Sequence, residues 1–167
     1  MGLIGDWRAA RERRRLAERY LSGLLTPTSS SDVTWLANAN GDRARAIREL
    51  ELARRAIALI VAERDALDDR TAADVAHALN AGADSAWSAR WRAYSAALAV
   101  RGQQDAPAIR LARVLLDEAG VRNPPVAVVE QATHFVQEQR GRANESLRAV
   151  FGVASLPEDI RPSALKH

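Results

Sequence analysis

The sequence predicts an all-α protein: a bundle of four or five helices with a basic N-terminal helix and an extended C-terminal tail. Alanine, the strongest helix former, occurs 34 times among the 167 residues, against 9 glycines and 6 prolines. Apolar residues recur at spacings of three and four in several segments, and no segment alternates as a strand would. Capping residues and helix-ending glycines separate these segments, which favours several helices over one long helix.

The first predicted helix runs from about Leu3 to Leu25 and is followed by a loop rich in Pro, Ser and Thr at 26–31. One apolar stripe follows its length, interrupted by Arg14; the stripe consists of Trp7, Ala10, Ala17, Leu21 and Leu24. We interpret residues 1–25 as a basic amphipathic helical arm. The sequence does not say whether this arm packs on the bundle or projects from it.

The core of the bundle is predicted between Arg43 and Val150. A short helix over Val33–Ala39 ends at Gly41, and Asp42 then caps a helix over about Arg43–Leu67. That helix is apolar on all sides from Ala56 to Ala62, which indicates a central element surrounded by others.

The second half of the chain contributes the remaining helices. The alanine-rich segment from Ala72 to Val100 is predicted as one helix, with a kink or break at Gly82 as the alternative. Asp105 is predicted to cap a shorter helix that closes at Gly120, and Pro124 is predicted at the first position of the last long helix. The predicted divisions are therefore the arm, a helical-bundle domain over 26–152 and an extended tail over 153–167.

Positive charge is concentrated in the arm. The net charge is +3, and 23 of the 24 basic residues are arginine. Residues 6–19 hold six arginines against three acidic residues, so this segment carries the whole net charge. We expect this surface to bind a protein partner, which includes a second copy of the chain, or a polyanion such as nucleic acid, whereas contact with an anionic membrane surface is disfavoured. The other interpretation is that the charges form the solvated outer face of a helix with an apolar inner stripe. The arginines are Arg8, Arg11, Arg13, Arg14, Arg15 and Arg19.

A second candidate surface is aromatic. Trp87, Trp91 and Tyr94 fall on one helical face beside Arg90. Such a face can stack single-stranded bases or act as a hot spot for a protein partner. The alternative interpretation is that these rings fill the space left by small alanines in the core.

Arg70 and His77 are separated by six residues, a spacing that resembles the Arg-x(4–6)-His motif of the HEPN ribonucleases. The resemblance covers eight residues and implies an all-helical dimer in which this pair cuts RNA without a metal. Thr71 follows the arginine, where the family's common pattern has an amide or a carboxylate. The other interpretation is a coincidence of an arginine-rich composition.

Other function classes are excluded or disfavoured by composition. There is no cysteine, which removes disulfides, thiolate nucleophiles and iron–sulfur clusters. We expect no metal site and no cofactor. The longest apolar run has seven residues and no apolar leader opens the chain, so a cytoplasmic protein without a transmembrane segment is expected.

The sequence favours a non-catalytic helical interaction or assembly module, such as a subunit of a larger particle. The alternatives are a nucleic-acid-binding regulator that uses the arm and a HEPN-like ribonuclease.

Overall fold

A computed structural model describes residues 3–66, 69–81, 83–99 and 104–152, and within them it contains seven helices and no strand. The all-α prediction is therefore confirmed. The predicted tail over 153–167 lies outside the described residues. The helices are α1 (Leu3–Leu24), α2 (Ser30–Asn40), α3 (Arg43–Asp65), α4 (Asp69–Asn80), α5 (Ser85–Ala99), α6 (Pro107–Ala119) and α7 (Val126–Phe151).

The alanine-rich segment that we predicted as one helix forms two, α4 and α5. The break has a local chemical cause at Asp84, whose carboxylate accepts a hydrogen bond from the Trp87 backbone N–H at 2.8 Å. A side-chain acceptor at this position satisfies an N–H at the start of a helix and so favours a new helix there. The Asn80 side chain accepts a second bond, from the Trp87 indole N–H at 2.8 Å, which ties the end of α4 to α5.

Local signals set several other helix ends as predicted, but α6 has Ala106 at its N-cap instead of Asp105, and α7 begins after Pro125 instead of at Pro124. The Asp42 carboxylate caps α3 by accepting the Arg45 backbone N–H at 2.9 Å. Gly41 and Gly120 adopt φ values of 73° and 82° after α2 and α6, a left-handed conformation that glycine adopts without steric cost. Val121 is buried, and its N–H donates to the Leu116 carbonyl at 2.9 Å, which folds the chain back onto α6.

Helix α3 is the centre of the molecule and contacts each of the other six helices. Every residue from Ala56 to Ala62 is buried. Alanines at 53, 56, 58 and 62 allow neighbouring helices to approach closely, while Ile57 and Ile60 fill the spaces between them. An element surrounded in this way has no solvated face in its middle turns, which explains why polar residues are absent there.

The second half of α1 packs on this core, against α3, α4 and α7. Ala17, Leu21 and Leu24 are buried, and the buried Tyr20 hydroxyl donates to the Ala58 carbonyl of α3 at 2.8 Å. The Tyr20 ring also meets the Phe151 ring edge to face, with centroids 6.3 Å apart. This half of the predicted arm is therefore continuous with the core of the bundle.

Arg54 of α3 fixes the C-terminal end of α1. Its guanidinium donates to the Leu24 carbonyl, to the Thr26 carbonyl at 2.5 Å and to the Thr26 hydroxyl at 3.2 Å. Carbonyls at a helix end have no partner within the helix, so a buried guanidinium there satisfies them and meets the negative end of the helix dipole. Burial and the neighbouring charge of Arg142 lower the pKa of Arg54.

Candidate anion-binding face of the first helix

The first half of α1 differs sharply from its second half, because no residue from Trp7 to Leu16 is buried. The residues on its inner side, Ala10, Arg13 and Leu16, are only partly covered. Arg13 Nε contacts Asp74 Oδ2 of α4 at 3.3 Å and holds this half beside α4. The helix thus continues from the core into solvent.

Five of the six arginines predicted to bind a partner lie together on the outside of α1. They are exposed, and we call them the basic face: Arg8, Arg11, Arg14, Arg15 and Arg19. The sixth, Arg13, points inward to Asp74 and is not part of this face. The sequence did not separate Arg13 from the others, because its partner lies 61 residues further along the chain.

Helical geometry places four arginines of the basic face in a row and the fifth to one side of that row. Arg8, Arg11, Arg15 and Arg19 follow one another at spacings of three, four and four, which places them on one side over about 16 Å of helix. Arg14 lies to the other side of this row. Two glutamates share the surface: Glu12, which contacts Arg15 at 3.9 Å, and the exposed Glu18. The surface is therefore strongly positive but not uniformly so.

Trp7 is the exposed aromatic residue next to the basic face. Its side chain is 60% exposed, and the Arg11 guanidinium carbon lies 5.5 Å from the centre of its ring. This is a cation–π contact, which shields one side of the ring and orients the arginine. The sequence stripe had assigned Trp7 to the inner side of the helix. The apolar stripe of the sequence continues to Trp7, but the neighbouring helices bury this stripe only from about Ala17 onward.

The aromatic face predicted on α5 lies in the core. Trp87 and Tyr94 are each 1% exposed, and the half-buried Trp91 stacks on Trp87 with ring centroids 6.1 Å apart. Burial of these rings is what the core-filling interpretation predicts. In this arrangement Trp87 and Tyr94 have no free ring face on which a base or a partner side chain can stack.

Arg90, predicted beside this aromatic face, forms an internal ion cluster. Its guanidinium donates to both carboxylate oxygens of Glu49, at 2.6 and 2.8 Å, and contacts Glu118 Oε2 at 2.6 Å. The hydrogen bond to Glu49 raises the pKa of Arg90. Burial, reinforced by the two carboxylates, raises the pKa of the adjacent Tyr94. The cluster joins α5 to α3 and α6, and its charges are used internally.

Arg70 and His77, the pair that resembles the HEPN motif, are both exposed on α4. Seven positions apart, they share one face and are separated by two turns of helix, about 10 Å. Asp74, between them in sequence, is engaged by Arg13 of α1. The ribonuclease hypothesis stays a prediction.

Three of the surface grooves formed by the described residues flank the core, and none of these three gathers a recognisable catalytic set. Two adjoin one another beside the end of α1, at about 300 and 260 Å³, and share Leu25 and Arg55. The third, about 230 Å³, lies between α3 and α5 and includes Trp91 and Glu63, whose pKa is raised by burial.

Within the described ranges no three His, Cys, Asp or Glu side chains group as metal ligands would. In the same part of the chain, no helix is both long and apolar enough to cross a bilayer.

Comparisons with protein families, with curated proteins and with solved structures found no match to this chain.

Proposed function

We propose that this protein is a non-catalytic helical interaction module that binds an anionic partner through the basic face of α1. The observation that carries the proposal is the division of α1 into two halves. Its second half is built into the core through Tyr20, Leu21 and Leu24, whereas its first half is exposed and presents arginines to solvent. A rigid helix that extends from a packed core displays its charges in a fixed geometry and loses little conformational entropy on binding.

The charge distribution supports the same conclusion. Residues outside the segment 6–19 are balanced in charge, so attraction of an anion is localised at this segment. Arginine remains charged at any physiological pH and forms two parallel hydrogen bonds with carboxylates or phosphates. Exposed charges are screened within about 8 Å at physiological ionic strength, so binding should weaken as salt is added.

The test compares two variants with the same total charge. In the face variant, Arg8, Arg11 and Arg15 are replaced by Gln. In the control variant the replaced residues are Arg43, Arg92 and Arg122, which are also exposed but lie on α3, α5 and the loop before α7. Each variant loses three positive charges, so a difference in retention between them depends only on where those charges lie on the protein.

We expect the wild type and the control variant to be retained on immobilised heparin at low salt and released at high salt. The face variant should elute at a clearly lower salt concentration. Circular dichroism melting curves check that all three proteins are equally folded. Equal elution of the face and control variants would contradict the proposal, because retention would then follow total charge.

A further inference from the structure

We propose that the anionic partner is duplex DNA and that the first half of α1 binds in its major groove; this inference rests on the proposed function above. The first observation is the shape of this half. From Trp7 to Leu16 it is a single helix about 15 Å long without a buried residue. An α-helix with its side chains is about 10–12 Å wide, and the major groove of B-DNA, about 12 Å wide, admits one.

The second observation is how the arginines are distributed around the helix. Arg14 and Arg19 are about 140° apart around the helix axis, and Arg8, Arg11 and Arg15 lie between them. A helix in the major groove needs cations on both flanks to reach the two phosphate strands that border the groove. The arginines between them face into the groove, and the five guanidinium groups together neutralise phosphates of the two strands.

The same observations disfavour other anionic partners. Single-stranded nucleic acid stacks successive bases on several open aromatic faces, but Trp87 and Tyr94 are buried and Arg11 already covers one side of the exposed Trp7 ring. The major groove of A-form RNA is too deep and narrow for a helix. A membrane-surface helix inserts its apolar side into lipid. In α1 that side is already used within the protein core, where the buried residues are Ala17, Tyr20, Leu21 and Leu24.

Glutamates on the same surface modulate this contact. Glu12 is paired with Arg15 and neutralises part of its charge. Glu18 is exposed and follows Arg14 by four positions, so it lies one turn further along the same side. A carboxylate there repels phosphate, and Glu18→Gln should therefore tighten binding to DNA.

The experiment measures fluorescence anisotropy of a labelled 20-base-pair DNA duplex with the full chain at several salt concentrations. Each neutralised phosphate contributes about −0.9 to the slope of log K against log salt, so five arginines predict a slope near −4.5. Affinity should then fall about 500-fold between 50 and 200 mM salt. In the face variant the slope should decrease in size by about 2.7, whereas the control variant should keep the wild-type slope.

Three further probes separate this inference from the proposed function: a single-stranded RNA 20-mer, vesicles of phosphatidylglycerol and polyglutamate. Tighter binding to the DNA duplex than to all three, lost in the face variant, supports the inference. Equal slopes for the face and control variants on DNA would overturn it. So would tighter binding to RNA, vesicles or polyglutamate. If binding to RNA, vesicles or polyglutamate is lost in the face variant, the proposed function is supported, but with an anionic partner other than DNA. If the face variant behaves like the control on every probe, both proposals fail.

Discussion

Arg90 holds two carboxylates from two different helices, Glu49 of α3 and Glu118 of α6. Glu49 is 4% exposed and depends on Arg90 for both of its oxygens. Removing one member of a buried ion cluster leaves uncompensated charge in a poorly solvated place. The free-energy loss is therefore larger than the net contribution of the intact cluster.

Arg90→Met should lower the free energy of unfolding by about 3–5 kcal/mol, because Glu49 loses its partner while remaining buried. This corresponds to a fall in melting temperature of roughly 6–20 °C, measured by circular dichroism. The matched control is Arg92→Met, an exposed arginine on the same helix, for which we expect a change within about 0.5 kcal/mol. Adding Glu49→Met to Arg90→Met should recover part of the loss. Identical melting of the Arg90 and Arg92 variants would show that the cluster contributes nothing measurable.

At the scale of a helix, α1 combines two roles that are separable by truncation. A chain beginning at Leu16 lacks Trp7, the Arg13–Asp74 contact and four arginines of the basic face, but it keeps the buried residues Ala17, Tyr20, Leu21 and Leu24. We expect it to melt close to the wild type and to lose binding to heparin. A chain beginning at Thr28 should unfold or aggregate.

The physical reason is the amount of core that each truncation removes. Tyr20, Leu21 and Leu24 each contribute about 1.5–3 kcal/mol by burial, which together approaches the total stability of about 5–15 kcal/mol of a typical domain. The longer truncation also removes the Leu24 and Thr26 carbonyls that Arg54 binds. If the Thr28 chain melted like the wild type, α1 would be a separate arm and not part of the core.

Helices whose signals are local were predictable from the sequence, and those shaped by distant neighbours were not. The central position of α3 follows from its apolar run, and its start follows from Asp42. Gly82 indicates a kink or break between α4 and α5, whereas the start of a new helix after it depends on Asp84, a cap inside an alanine-rich run. For the basic face, charge and spacing identified the right segment. The inward direction of Arg13 and the exposure of Trp7 depend on how far along α1 the contact with α4 extends. No local sequence pattern encodes the extent of that contact.

At the scale of the whole molecule, both tyrosines of the chain belong to the core, and this gives stability a defined dependence on pH. Burial raises the pKa of Tyr20 and of Tyr94 above the ordinary value of about 10, with nearby carboxylates adding to the effect. Above pH 10 the unfolded chain releases both protons while the folded chain retains them. Stability that is fully present below pH 10 is therefore lost as the pH rises further.

We expect the free energy of unfolding, measured by urea titration, to fall by up to about 1.4 kcal/mol per pH unit for each tyrosine above pH 10. Tyrosinate absorbance should appear only as the protein unfolds. The doubly substituted Tyr20→Phe, Tyr94→Phe chain should lose most of this dependence, although it is less stable at neutral pH because the Tyr20–Ala58 hydrogen bond is absent. Tyrosinate that forms near pH 10 in a still folded protein would contradict the burial of these side chains.

The exposed first half of α1 also has a consequence for survival of the protein in a cell. A protease cuts a helix only after a local opening, and opening costs least where few side chains are buried. The residues from Trp7 to Leu16 meet that condition, and several arginines there are preferred cleavage points for trypsin-like enzymes. A bound partner covers these bonds, whereas a molecule without a partner exposes them. Cleavage there would remove most of the positive surface and leave the buried residues from Ala17 onward in place, so proteolysis would inactivate binding before it destroyed the fold.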